Sequence, residues 1–79
     1  MDPLYFKIGD LDFIQKEYPE LYHKLEKNIS KDRLTVALDS PEQWDMLENS
    51  FVDEIGASTT NAGDLNKNGL RLEAILDCV

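Results

Sequence analysis

Arg33-Leu34-Thr35-Val36-Ala37-Leu38-Asp39-Ser40-Pro41-Glu42-Gln43-Trp44 holds the change of period on which the fold turns. Leu34, Val36 and Leu38 alternate with Thr35 and Ala37, the two-residue period of a strand with one buried face. Asp39 closes that run. Ser40 then supplies an N-cap acceptor, Pro41 a first helical position with φ already set, and Gln43 the third-residue partner of a capping box. Trp44, Leu47, Phe51 and Ile55 follow at steps of three and four, an apolar helical stripe that Gly56 is expected to end. Trp44, at the head of this stripe, is expected to lie buried at the centre of the core.

On the N-terminal side, Leu4, Phe6 and Ile8 alternate with Tyr5 and Lys7, which predicts a short strand near 4–8 broken by Gly9-Asp10. From Leu11 the period lengthens. Leu11, Ile14, Tyr18, Leu21, Tyr22, Leu25 and Ile29 form one helix face, with Asp10 placed to cap its start. Pro19 interrupts this helix, because it lacks an amide donor and its ring meets the preceding turn. It should kink or divide the helix. Glu20 and Lys24 have the spacing and order of a favourable ion pair. Asn28 to Asp32 reads as a polar connector.

On the C-terminal side, Ala57 to Gly63 reads as a loop. Leu65 to Val79 satisfies two periods. Leu70, Leu72, Ala74, Leu76 and Cys78 alternate as in a strand, whereas Leu65, Leu72, Ile75, Leu76 and Val79 fit a helical stripe. The residue types favour a helix, and the alternative makes residues 70–78 a third strand. The expected fold is therefore α+β: two or three amphipathic helices packed on a small two- or three-stranded sheet. The 79 residues make a single small acidic domain, and no internal repeat is visible.

The formal net charge is −8. It is unevenly spread: no lysine, arginine or histidine occurs between Arg33 and Lys67, yet seven acids do, Asp39, Glu42, Asp45, Glu48, Asp53, Glu54 and Asp64. Such a chain is unsuited to binding nucleic acid directly, which needs cations to displace counterions, or an anionic membrane surface. No apolar run approaches the ~20 residues that span a bilayer. The first residues lack the basic segment and apolar run of a signal peptide. A single cysteine, Cys78, excludes an internal disulfide framework and fits a reducing, cytoplasmic setting.

No catalytic, cofactor-binding or metal-binding pattern is present. Asp64-Leu65-Asn66-Lys67-Asn68-Gly69 begins like a calcium loop, but Arg71 occupies its apolar eighth position and Ile75 the place of its bidentate acid. A polar turn or helix start is expected instead. His23 and Cys78 are too few for structural zinc. The remaining candidate is a partner-binding face. Glu42, Asp45, Asn49 and Asp53 run opposite the apolar stripe, and Asp53 and Glu54 stand in the last helical turn, where the helix dipole disfavours them. A docking face for a basic protein accounts for this pattern; a solvated face neutralised by Lys16, Lys24 or Lys27 is the bland alternative. Tyr5, Phe13, Met46 and Val52 fall off every assigned stripe and are either buried elsewhere or exposed as anchors. The expected function is non-enzymatic binding of a basic protein, with inhibition of a nuclease or nucleic-acid-binding protein as one form of it. The alternative is an assembly subunit or homodimer joined by apolar helix contacts.

Overall fold

The computed structural model describes residues 2–79. β1 (Leu4–Tyr5) leads into α1 (Asp10–Glu17) and α2 (Pro19–Leu25), and a 3-10 turn (Glu26–Asn28) precedes β2 (Thr35–Val36). α3 (Pro41–Ala57) and α4 (Lys67–Cys78) follow, so the described residues form an α+β fold of four helices and a two-stranded antiparallel sheet.

Both strands are shorter than the alternation predicts. The register pairs Leu4 with Val36 and Tyr5 with Thr35, and the Phe6 amide still donates to the Leu34 carbonyl at 2.7 Å. Beyond it, the Lys7 amide donates to the Asp10 carboxylate (3.0 Å) and the Asp10 amide to the Lys7 carbonyl (3.0 Å). This turn ends β1 and leaves Ile8 89% exposed rather than on the inward face. Asp10 is consequently the first helical residue, and Gly9, at φ 90°, occupies the N-cap position assigned to Asp10. At the other strand Arg33 adopts a left-handed φ of 58° and breaks the extended run before Thr35. The far side of β2 is occupied by the connector: the Ser30 amide donates to Thr35 (2.9 Å) and the Ala37 amide to Asn28 (3.0 Å). The Asp32 carboxylate accepts from the Ser30 hydroxyl and the Leu34 amide, which holds its pKa below the usual aspartate value.

Pro19 divides the first helix. Tyr18 leaves helical geometry, yet its amide still reaches the Ile14 carbonyl (2.7 Å) and its own carbonyl accepts from Tyr22 (2.9 Å). The apolar phase survives the break, so Leu11, Ile14, Tyr18, Leu21 and Leu25 are all buried. Glu20 and Lys24 do not pair; Lys24 Nζ donates instead to Ser50 Oγ on α3 at 2.8 Å.

α3 starts where the cap places it. Ser40 Oγ accepts from the Gln43 amide at 3.2 Å. The return bond differs from a standard capping box, since Gln43 Oε1 accepts from the Asp39 amide, one residue earlier than the cap. Gly56 does not end the helix, which runs to Ala57 and closes at Ser58. The Ser58 hydroxyl donates to the Glu54 carbonyl (2.8 Å), so the Tyr18 hydroxyl donates to Ser58 Oγ (2.7 Å) in a buried link between the Pro19 junction and the end of α3.

The C-terminal segment is a helix, not a third strand. Asn66 Oδ1 accepts from the Gly69 amide at 2.8 Å, so the calcium-like stretch is a turn and helix cap. Phe51, Leu11, Ile14, Leu21, Leu25, Leu47, Leu72 and Val36 are the fully buried large side chains. Trp44 is only half-buried and packs on the margin of this cluster, so Phe51, not Trp44, is the centre of the α3 stripe.

Candidate docking face

α3 buries one side and presents the other. Leu47, Ser50 and Phe51 face inward, while Glu42, Asp45, Asn49 and Asp53 are exposed. At about 100° per residue these four lie within one stripe. Glu54 does not join it. It is half-buried on the flank that includes Ser50, roughly a quarter turn from Asp53. The stripe instead gains Met46 and Val52, which are 59% and 53% exposed.

Among the described residues, ion pairs form between His23 and Glu26 (3.1 Å), Arg33 and Asp12 (2.9 Å), and Arg71 and Asp10 (3.8 Å). None involves an acid between positions 39 and 64. Lys24, the cation that reaches α3, is spent on Ser50. Arg33 is held by Tyr22, Asp12 and Gln15, and its hydrogen bond to the Tyr22 hydroxyl is the first cause of a pKa raised above the ordinary arginine value. The acids of α3 are thus left without a cation partner among the described residues.

α4 carries two further exposed acids. Arg71 turns toward α1, with its guanidinium 4.3 Å from the Phe13 ring centroid and 3.5 Å from the Gly9 carbonyl. Asn68 points the same way and donates to Glu17 at 3.0 Å. Glu73 and Asp77 then stand exposed on the opposite flank of α4. No local pattern marked them, because their direction is set by where Arg71 docks. Phe13, off-stripe in sequence, is thereby accounted for: it lies edge-on to Tyr18 (5.8 Å, 72°) beneath Arg71. Tyr5, like Met46 and Val52, remains exposed.

Clefts lie elsewhere. One between α1 and α4 is lined by Phe13, Lys16, Lys67 and Arg71, together with the carboxylates of Asp12 and Glu17. Two smaller ones flank the Lys7–Asp10 turn and the Arg33 bend. α3 contributes to none of these three, and its exposed face is that of a surface helix. Among the described residues no group of three or more His, Cys, Asp or Glu is arranged to hold a metal ion, and no helix is long and apolar enough to cross a membrane. Comparisons with protein-family models, with curated proteins and with solved structures find no match for the chain.

Proposed function

We propose that the chain is a small acidic, non-enzymatic protein that docks on a basic protein through the outer face of α3. Its carboxylates stand where the phosphates of a nucleic acid would, as in antitoxins, nuclease inhibitors and phage-encoded anti-defence proteins. That comparison is one of size and charge. The observation that carries the proposal is the exposed row of Glu42, Asp45 and Asp53, which lies outside every ion pair among the described residues. Folding gains little from it, since like charges along a helix repel by a few tenths of a kcal/mol each. A complementary partner converts the same field into faster association. The exposed, free Cys78 is consistent with a reducing compartment.

A second reading, an assembly subunit or homodimer joined by apolar contacts, is favoured by the exposure of Met46, Val52 and Leu70. Two copies meeting through α3 would set carboxylate against carboxylate. Salt would strengthen that association, whereas it weakens docking on a basic partner.

Capture from a host lysate separates the two. The immobilised chain is expected to retain a basic protein that salt releases and that nucleic acid displaces. The triple variant Glu42→Lys, Asp45→Lys, Asp53→Lys should lose it while keeping a native circular-dichroism spectrum. Equal capture by parent and folded triple variant would refute docking through this face.

A further inference from the structure

We propose that the element docking on α3 is a cationic amphipathic helix of the partner, laid along the acidic face with its apolar side chains against Met46 and Val52. This rests on the basic-partner reading above and adds the shape and apolar chemistry of what binds. Two observations beyond the carboxylates support it. Met46 and Val52, more than half exposed, flank the stripe of Glu42, Asp45, Asn49 and Asp53 on its two margins. A surface that only imitated phosphates would have no use for them, whereas apolar contacts beside charge are what a helix face offers. The second observation is Gly56. It lies in the helix on the same outer face without a positive φ, and a Cβ there would meet nothing within 4 Å. Nothing inside the fold requires glycine where alanine is the better helix former. A bare backbone at this point allows another backbone to come close.

The geometry suits a helix. α3 offers the exposed face of a 17-residue helix, and the side-chain ridges of two helices interlock at about 8–10 Å between axes. The carboxylates of Glu42, Asp45 and Asp53, one turn and then two turns apart with the Asn49 amide between, meet Lys or Arg side chains placed at the same steps on a facing helix. Charge then sets the encounter, and the apolar pair slows release.

The test uses two synthetic peptides of about 18 residues, roughly the length of α3. One places a Lys and Arg stripe with Leu on both of its margins at helical spacing, to match Met46 and Val52 on either side of the carboxylates. The other has the same composition scrambled, so its charge is identical and no face segregates. Fluorescence anisotropy against the full chain at low and moderate salt reads both. The patterned peptide is expected to bind about tenfold tighter or more. The pair Met46→Gln, Val52→Gln should remove most of that advantage and leave the scrambled peptide unaffected. Gly56→Ala should weaken the patterned peptide severalfold without destabilising the free chain. Equal binding of the two peptides to the parent, or no response to the Met46 and Val52 variant, overturns the helix proposal and leaves a basic partner standing. Binding of neither peptide at low salt overturns the basic-partner reading as well.

Discussion

Gly56 and Gly69 are both helical glycines, and their surroundings give opposite expectations for one substitution. A Cβ at Gly69 would stand 2.7 Å from the Ser58 carbonyl oxygen and 3.0 Å from the Ser58 Cβ. The first of these is backbone, so α4 must move away from the end of α3. Gly69→Ala gains up to ~1 kcal/mol in helix propensity, but separating the helices costs ~1–3 kcal/mol. A net loss of stability is expected. Gly56→Ala meets open space and should gain ~0.5–1 kcal/mol. Urea denaturation of both variants checks this; a Gly69→Ala protein as stable as the parent would mean that α3 and α4 do not meet so closely. The role of Gly69 was hidden in the sequence because its contact lies eleven residues away at Ser58, and its nearest neighbours imitate the start of a calcium loop.

α3 is the element whose start was fully signalled in the chain, although it runs past the expected stop at Gly56, and its N-cap is the part most open to test. The Ser40 hydroxyl oxygen satisfies the Gln43 amide, one of the donors that a helix start leaves without an intrahelical partner. Ser40→Ala should cost ~1 kcal/mol, and Ser40→Asp should be nearly neutral for the cap. Equal denaturation midpoints for Ser40→Ala and the parent would move the start of the helix. Caps and apolar periods are local, which is why α3, the division at Pro19 and the stripe from Leu11 to Leu25 were legible. Strand ends are set by competition. The Lys7 amide bonds to Asp10 rather than to a neighbouring strand, and Arg33 takes a left-handed turn, so two expected strands shrink to two residues each. Trp44 and Phe51 are equivalent on a helical wheel, and only the packing of the other helices makes Phe51 the one with no exposed surface.

At the scale of the whole molecule, the acids from Asp39 to Asp64 stand outside every ion pair among the described residues, and this has a consequence for stability that can be separated from binding. The gap in cations between Arg33 and Lys67 was plain in the sequence, whereas the placing of Glu73 and Asp77 depended on Arg71 docking over Phe13. Within the acidic surface, position decides the sign of each substitution. Glu42 stands in the first turn of α3, where the helix dipole favours a carboxylate, so reversing it removes a favourable term as well as a repulsion. Asp53 lies near the other end, where the last turn contains no basic residue and dipole and like charge both act against it. Asp53→Lys changes the formal net charge from −8 to −6, since one reversal moves it by two. Relief of the dipole and repulsion should add ~0.5–1 kcal/mol at low ionic strength. In a domain of this size that raises Tm by about 2–8 °C. At ~1 M salt the Debye length falls to about 3 Å, so the gain should shrink and the parent should approach the variant. The same substitution should weaken docking on a basic partner, most at low salt. Thermal melts across a salt series, set beside binding to the patterned cationic peptide, read both effects. A variant that melts lower than the parent at low salt would show that Asp53 serves the fold. One that melts higher yet binds as well would remove Asp53 from the docking face. A rise in Tm joined to a loss of binding identifies a carboxylate that the fold alone does not favour and that the partner requires.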